Sequence, residues 1–393
     1  MHAAKDNVCV LDAPAPVSPG LASPSLASPD LASPAQRLFA HLPRADQRRW
    51  AGVYLKGLLS AEGKKTLRRM AASVTSSPTA AQSLQQFVND SAWRWRPVRA
   101  ELARWAGEIT APHAWTLAPV VIPKRGELSV GVHRRFEPVS GRTVNCQLAI
   151  GAFLSGDRGD LSVDWELYLP RRWTEDERLR HQARVPDGTR HTSAAALCLA
   201  LADRLARITP RMPPVVVHTE GHLDAGTVIE GLTARGLDWI VAVPDTFPLS
   251  PDTTTLPRST ETEPARRLLR RHPTPGRTRF TLTRVTLPSP AGPRPALLAG
   301  PGTPAHDRPT RTWLTSLPPA RQGQALALIG SAEDSRIGVA EAESGLYDFA
   351  GRSYPGWHRH ATLVSVAAAH RALGHEVCPP LGADVPTTTP GTG

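Results

Sequence analysis

The chain has 393 residues, 40% of them apolar, and 46 Lys+Arg against 35 Asp+Glu, a formal charge of +11 at neutral pH. That length and apolar share suffice to bury a core and exclude a wholly disordered chain, while no run of about 18 apolar residues marks a membrane span. The basic balance favours a polyanionic partner, although a GC-rich genome, by enriching Arg, Ala, Gly and Pro codons, would give the same bias with no binding role.

The amino terminus lacks the charged-then-apolar plan of a signal peptide, so a cytoplasmic protein is expected. Cys9, Cys146, Cys198 and Cys378 lie far apart and form no CxxC pair, so they read as lone thiols rather than a zinc site or disulfide framework. Residues 11–35 carry the period "LASPS LASPD LASPA", too poor in apolar surface to offset its ordering entropy, so 1–35 are expected to be a disordered tail. From there apolar residues recur at helical spacing, at Leu38, Phe39 and Leu42 and then at Trp50, Val53, Tyr54 and Leu58. An all-helical amino-terminal domain over 36–112 follows. Its last helix interleaves Arg94, Arg96, Arg99 and Arg104 with Trp93, Trp95 and Trp105. That pattern fits a phosphate-contacting helix with aromatic support, and equally an amphipathic helix with Trp inward and Arg solvated.

From Trp115 the texture changes to strands: "WTLAPVVI", "LSVGVHRRFEP", "TVNCQLAIGAFLS" and "DLSVDWELYLP", with a hairpin turn at 139–142. A helix through "SAAALCLALADRLARI" and the run "VVVHTEGHLDAGTVIEGLTARGLDWIVAV" then give helix, strand, helix, strand. Meander, helix, strand, helix, strand is the order of a ribonuclease H-like sheet. Residues 246–325 form a Pro/Thr/Arg-rich insertion with strand candidates "RFTLTRVTL" and "PALLAG" and seven arginines between Arg258 and Arg279. That stretch reads as a DNA contact or as a solvated linker. A helical part over 326–377 and a disordered tail over 378–393 complete the chain.

Together "ADQRRWAGVYLKGLL", "LQQFVNDSAWRW", "PKRGELSVGVHRRF", "NCQLAI", "DWELYLPRRWTED", "GLDWIVAV" and "GWHRHATLVS" resemble the DDE transposases of bacterial insertion sequences over roughly residues 38–373. The resemblance implies an α/β fold, a ribonuclease H-like mixed sheet flanked by helices (113–245 and 326–377), interrupted by the insertion. It also implies double-stranded DNA at the element's ends as partner, DNA transposition as activity, and a carboxylate triad holding Mg2+ or Mn2+. A homodimer is compatible with it. Lys124, Arg125, Arg134 and Arg135, in the motifs after the first strand, join the four arginines above as candidate DNA contacts.

Carried over position by position, the triad falls on Ala118, Thr219 and Asp334, and the basic residue expected seven positions later is Glu341. Hard divalent cations need charged oxygen ligands. Ala118 offers none and Thr219 only a hydroxyl, so the expectation is a transposase-like DNA-binding protein with a degenerate site that needs no metal, with two alternatives: an active enzyme using Mg2+ or Mn2+ on displaced carboxylates, or a domesticated regulatory or scaffolding protein. Glu220 and Asp164 are the first substitutes to consider, with Asp224 and Glu166 nearby. Strand alternation would aim Glu220 away from the site unless the loop begins before it. The pairs His218/His222 and His358/His360 read as ordinary polar histidines rather than metal ligands.

Overall fold

The computed structural model describes residues 34–138, 140–251, 262–271, 279–288, 294–301 and 311–373. Residues 1–33, the tail after Leu373, and Arg258 and Arg277 of the basic cluster therefore lie outside the described residues, while Pro34 and Ala35, expected to end the amino-terminal tail, open a helix instead. Five helices come first, α1 (Pro34–Phe39), α2 (Ala45–Ser60), α3 (Leu67–Ala72), α4 (Ala80–Asn89) and α5 (Trp95–Ile109). The meander follows as β1 (Pro112–Pro123), β2 (His133–Glu137), β3 (Arg142–Gly156) and β4 (Gly159–Leu167). Next come α6 (Arg171–Glu175), α7 (Glu177–Ala183), α8 (Ala194–Ile208), β5 (Val215–Val217), α9 (Ala225–Ala234) and β6 (Trp239–Val243). The inserted region supplies β7 (Pro248–Pro251), β8 (Glu263–Pro264), α10 (Ala265–Arg271), β9 (Phe280–Leu287), β10 (Arg294–Pro301) and β11 (Thr312–Thr315). Helices α11 (Gln322–Asp334), α12 (Val339–Glu343) and α13 (Tyr354–Leu373) complete the described chain.

The strands form one mixed sheet of eleven, in the order β3-β1-β5-β6-β11-β10-β9-β7-β8, with β2 and β4 both pairing with the outer side of β3. Antiparallel β4, β3 and β1 followed by parallel β5 and β6 are the ribonuclease H-like arrangement. The all-apolar β5, Val215-Val216-Val217, is buried throughout, as parallel strands covered on both faces must be. The described parts of the inserted region, read from composition as a DNA contact or a solvated linker, carry strands. Through β11 they pair antiparallel with β6 and lengthen the same sheet.

Helices cover both faces. On one, α11 seats Ala325, Leu328, Ile329 and Ala332 on Val216, Ile240, Ala242 and Trp313. On the other, α13 is buried continuously from Gly356 to Ala369, which requires partners all round a helix rather than along one stripe. It contacts β4 on one side and α2, α4 and α5 on the other. The amino-terminal helices share their core with the sheet, from Leu38 to Ala106, and the described residues fall within one compact unit. Among the described residues no helix is long and apolar enough to cross a membrane.

Candidate functional site

The carboxyl ends of parallel strands, where the sheet opens, are the place where such folds seat ligands. Leu117 of β1 lies opposite Val217 of β5, and the His218 N–H donates to the Leu117 carbonyl at 2.9 Å. Ala118 is thus set beside the start of the loop that carries Thr219. Strand β5 ends at Val217, so the loop begins before Glu220, and strand alternation no longer governs where Glu220 points. Glu220 adopts φ +46°, a left-handed conformation that a non-glycine residue holds only when its surroundings fix it.

Thr219 and Glu220 line one cavity of about 350 Å3 beyond β5 and β6, with Asp224, Asp245, Arg311 and Thr312 also on its wall. The Thr219 hydroxyl is not presented to a ligand; it donates to the Ala242 carbonyl at 2.9 Å. Asp224 accepts from the Thr227 side chain and from its N–H at the start of α9, which hold its carboxyl below the usual range. Asp245 accepts from the Thr312 hydroxyl at 2.7 Å. Arg311 binds Glu220 at 2.7 Å, and its own N–H donates to Glu333 at 3.0 Å. Glu333, 5% exposed, also accepts from the Trp313 indole at 2.7 Å. The charged group lying between two carboxylates here is a guanidinium belonging to the chain itself. Next to it His218 sits edge-on to Trp313, and burial together with Arg311 drives its pKa down to about 3.

The third expected position is elsewhere. Asp334 forms a two-pronged pair with Arg279 at 2.6 and 2.9 Å on the exposed side of α11. Its neighbour Glu333 is the carboxylate turned toward the loop. This distinction was readable: Ala325, Ile329 and Glu333 follow one another at intervals of four on a helical face, whereas Asp334 lies about 100° further round. Glu341, expected where a cation would face DNA, is instead 2% exposed. Burial pushes its carboxyl pKa up, against a partly compensating hydrogen bond with Ser162.

Asp164, weighed as a substitute, is committed to the interior. It binds Arg99 at 3.0 Å and Arg204 at 2.7 Å, and Glu166 binds Arg204 at 2.7 Å. Burial alone would raise the pKa of Asp164, but the two arginines outweigh it and hold the carboxyl below its usual value. Arg99 is correspondingly no surface contact: it is 2% exposed and donates to Thr362 and to the carbonyls of Trp165 and His358, because its helix is clamped between β4 and α13. Trp93 and Trp105 also point inward, while Arg94, Arg96 and Arg104 are exposed, Arg104 paired with Glu101 and Arg96 3.7 Å from Glu166. Arg135 is committed to His222, through Nε to Nδ1 at 2.8 Å, and lies over Tyr168. Arg125 and Arg134 are exposed, and Lys124 is half-buried. The remaining histidine pair is structural, with His360 joining the Tyr54 hydroxyl to the Gly345 carbonyl.

The profile of the DDE superfamily endonucleases matches residues 37–292, from α1 through the last strand before β10. The chain belongs to this family. A comparison with curated proteins finds no match. Membership in the DDE superfamily endonucleases implies a DNA substrate, and enzymes of the family typically use Mg2+ or Mn2+. The residues at the three carried-over positions do not fit such ions. Ala118 has no oxygen, the Thr219 hydroxyl donates to Ala242, and Asp334 faces Arg279. Hard cations need several convergent oxygen ligands, which these three positions do not supply.

Proposed function

We propose that the chain is a transposase-like protein of a bacterial insertion sequence that binds double-stranded DNA at the element's ends but is impaired in strand cleavage and joining. The supporting observation is the Thr219 hydroxyl donated to the Ala242 carbonyl beside an Ala118 that carries no ligand. The exposed arginines Arg94, Arg96, Arg125 and Arg134 are the phosphate contacts of this reading, with Arg99 and Arg135 withdrawn from the set.

A second reading, an enzyme working through displaced carboxylates with Mg2+ or Mn2+, would draw on Glu220 at the cavity wall, although among the described residues no group of three or more His, Cys, Asp or Glu is placed to hold a metal. One assay separates the two: Mn2+-dependent cleavage of a duplex bearing the element's terminal sequence. Wild type is expected to leave it intact. Ala118→Asp, Thr219→Asp and Asp334→Glu together are expected to restore cleavage while each alone does not, since residues that act as a unit are strongly non-additive. Cleavage by wild type that is lost in Glu220→Gln would establish the second reading.

A further inference from the structure

Strands β1, β5 and β6 run parallel, and β1 continues past Leu117, the partner of Val217, to end at Pro123 beyond the same end of the sheet, still paired with β3. Beyond Pro123 the chain enters the loop 124–129, closed by the Asn145 amide donating to the carbonyls of Lys124 and Gly126 at 3.0 and 2.8 Å. Between this loop and residues 347–352 lies a cavity of about 450 Å3, distinct in its lining from the one at Thr219. Four cationic side chains line it, Lys64, Lys124, Arg125 and Arg352, against the two carboxylates Glu127 and Asp348. Lys64, Arg125 and Arg352 are exposed and come from three separate segments of the chain. Leu128 and Tyr347, two of the large apolar side chains exposed among the described residues, at 58% and 40%, complete the wall.

We propose that this cavity seats a backbone phosphate of DNA, with Lys64, Arg125 and Arg352 supplying exposed charge and Lys124 the deepest donor, while Leu128 and Tyr347 pack against sugar or base. The proposal rests on the DNA-binding reading above and gives it a location. Charge complementarity selects the occupant. A polyanion that displaces counterions from several cations is held by charge and contact together, and apolar or aromatic groups beside the cations suit nucleic acid better than a bare ion.

Lys124 gives the seat a property of its own. Its ammonium donates to the carbonyls of Tyr347 and Phe349 at 3.2 and 2.9 Å. Burial, assisted by Lys64 and opposed by Asp348, lowers its pKa to about 8. The other groups facing it are Tyr347 and Arg352 from the opposite segment and Arg125 and Glu127 from its own loop. A phosphate beside Lys124 favours the ammonium form, so DNA binding at alkaline pH must draw a proton onto it. Affinity is then expected to fall as pH rises through the free pKa.

The test is fluorescence-anisotropy binding of a labelled random-sequence duplex by the full chain, across salt and pH. For Lys64→Gln/Arg125→Gln/Arg352→Gln, three exposed changes that leave the core intact, the salt slope should lose about 0.9 in magnitude for each phosphate contact removed. Wild-type affinity should drop by up to about tenfold from pH 7 to pH 9, and Lys124→Arg, charged throughout, should flatten that dependence. An unchanged salt slope in the triple variant, with wild type still binding DNA, overturns the seat, removes Arg125 from the phosphate contacts and leaves the DNA-binding reading to Arg94, Arg96 and Arg134. No binding by wild type even at low salt overturns both. A thermal shift with inorganic phosphate that vanishes in the triple variant, beside an unchanged DNA slope, makes the cavity a small-anion site and overturns the proposal.

Discussion

Single residues in this molecule have exchanged roles that their types suggest. Arg99 belongs by composition to a basic helix, yet its guanidinium makes hydrogen bonds to Asp164, Thr362 and two carbonyls in the interior. Removing one member of such a cluster leaves a buried charge without compensation. Arg99→Met should therefore lower the unfolding free energy by about 3–5 kcal/mol, read from urea denaturation; a loss within experimental error would mean that Asp164 is not held by this pair. Because the folded pKa of Asp164 lies below its unfolded value, its contribution is whole above about pH 3.9 and fades as pH falls through the folded pKa. At the same scale, the place of Thr219 was legible because motifs on both sides fix it, whereas the hydroxyl's partner, Ala242, sits on another strand and no local pattern announces it.

At the scale of elements, local periodicity carried far and pairing did not. The strands "RFTLTRVTL" and "PALLAG" are present as β9 and β10, but their docking onto β6 through β11 is a non-local choice of partner, which composition rich in Pro and Thr concealed. Helix α13 likewise reads as helical, and only the sheet on one side and α2, α4 and α5 on the other explain why polar His358, Arg359 and His360 are buried in it. Helix α12 places Glu341 in the interior beside Ser162. A carboxyl whose folded pKa exceeds its unfolded value of about 4.3 destabilises the fold once pH rises above that value, as the buried group is forced to ionise. Glu341→Gln should therefore raise the melting temperature at pH 7.5 and leave it unchanged near pH 4; equal effects at both pH values would place the Glu341 carboxylate in a solvated or paired environment.

At the scale of the whole molecule, a DDE superfamily endonuclease fold is combined with a loop at the end of β5 where the chain's own Arg311 lies between Glu220 and Glu333. The architecture was legible from the order of strands and helices because that order is what the ribonuclease H-like sheet requires. The single compact unit was not, since the texture of residues 36–112 gives no sign that α13 will bury itself beneath them. A tethered guanidinium that already offsets the carboxylates leaves little gain for a divalent ion, whose binding would have to displace it. The account's central claim, that the family's metal site has lost its function, is tested most directly by calorimetric titration of the full-length chain with Mn2+. The predicted result is no saturable heat at millimolar Mn2+, with no rise in melting temperature, since stabilisation follows RT ln(1 + [L]/Kd) and vanishes when Kd far exceeds the concentration. Saturable binding that disappears in Glu220→Gln or Glu333→Gln would contradict it and establish a working metal site on displaced carboxylates.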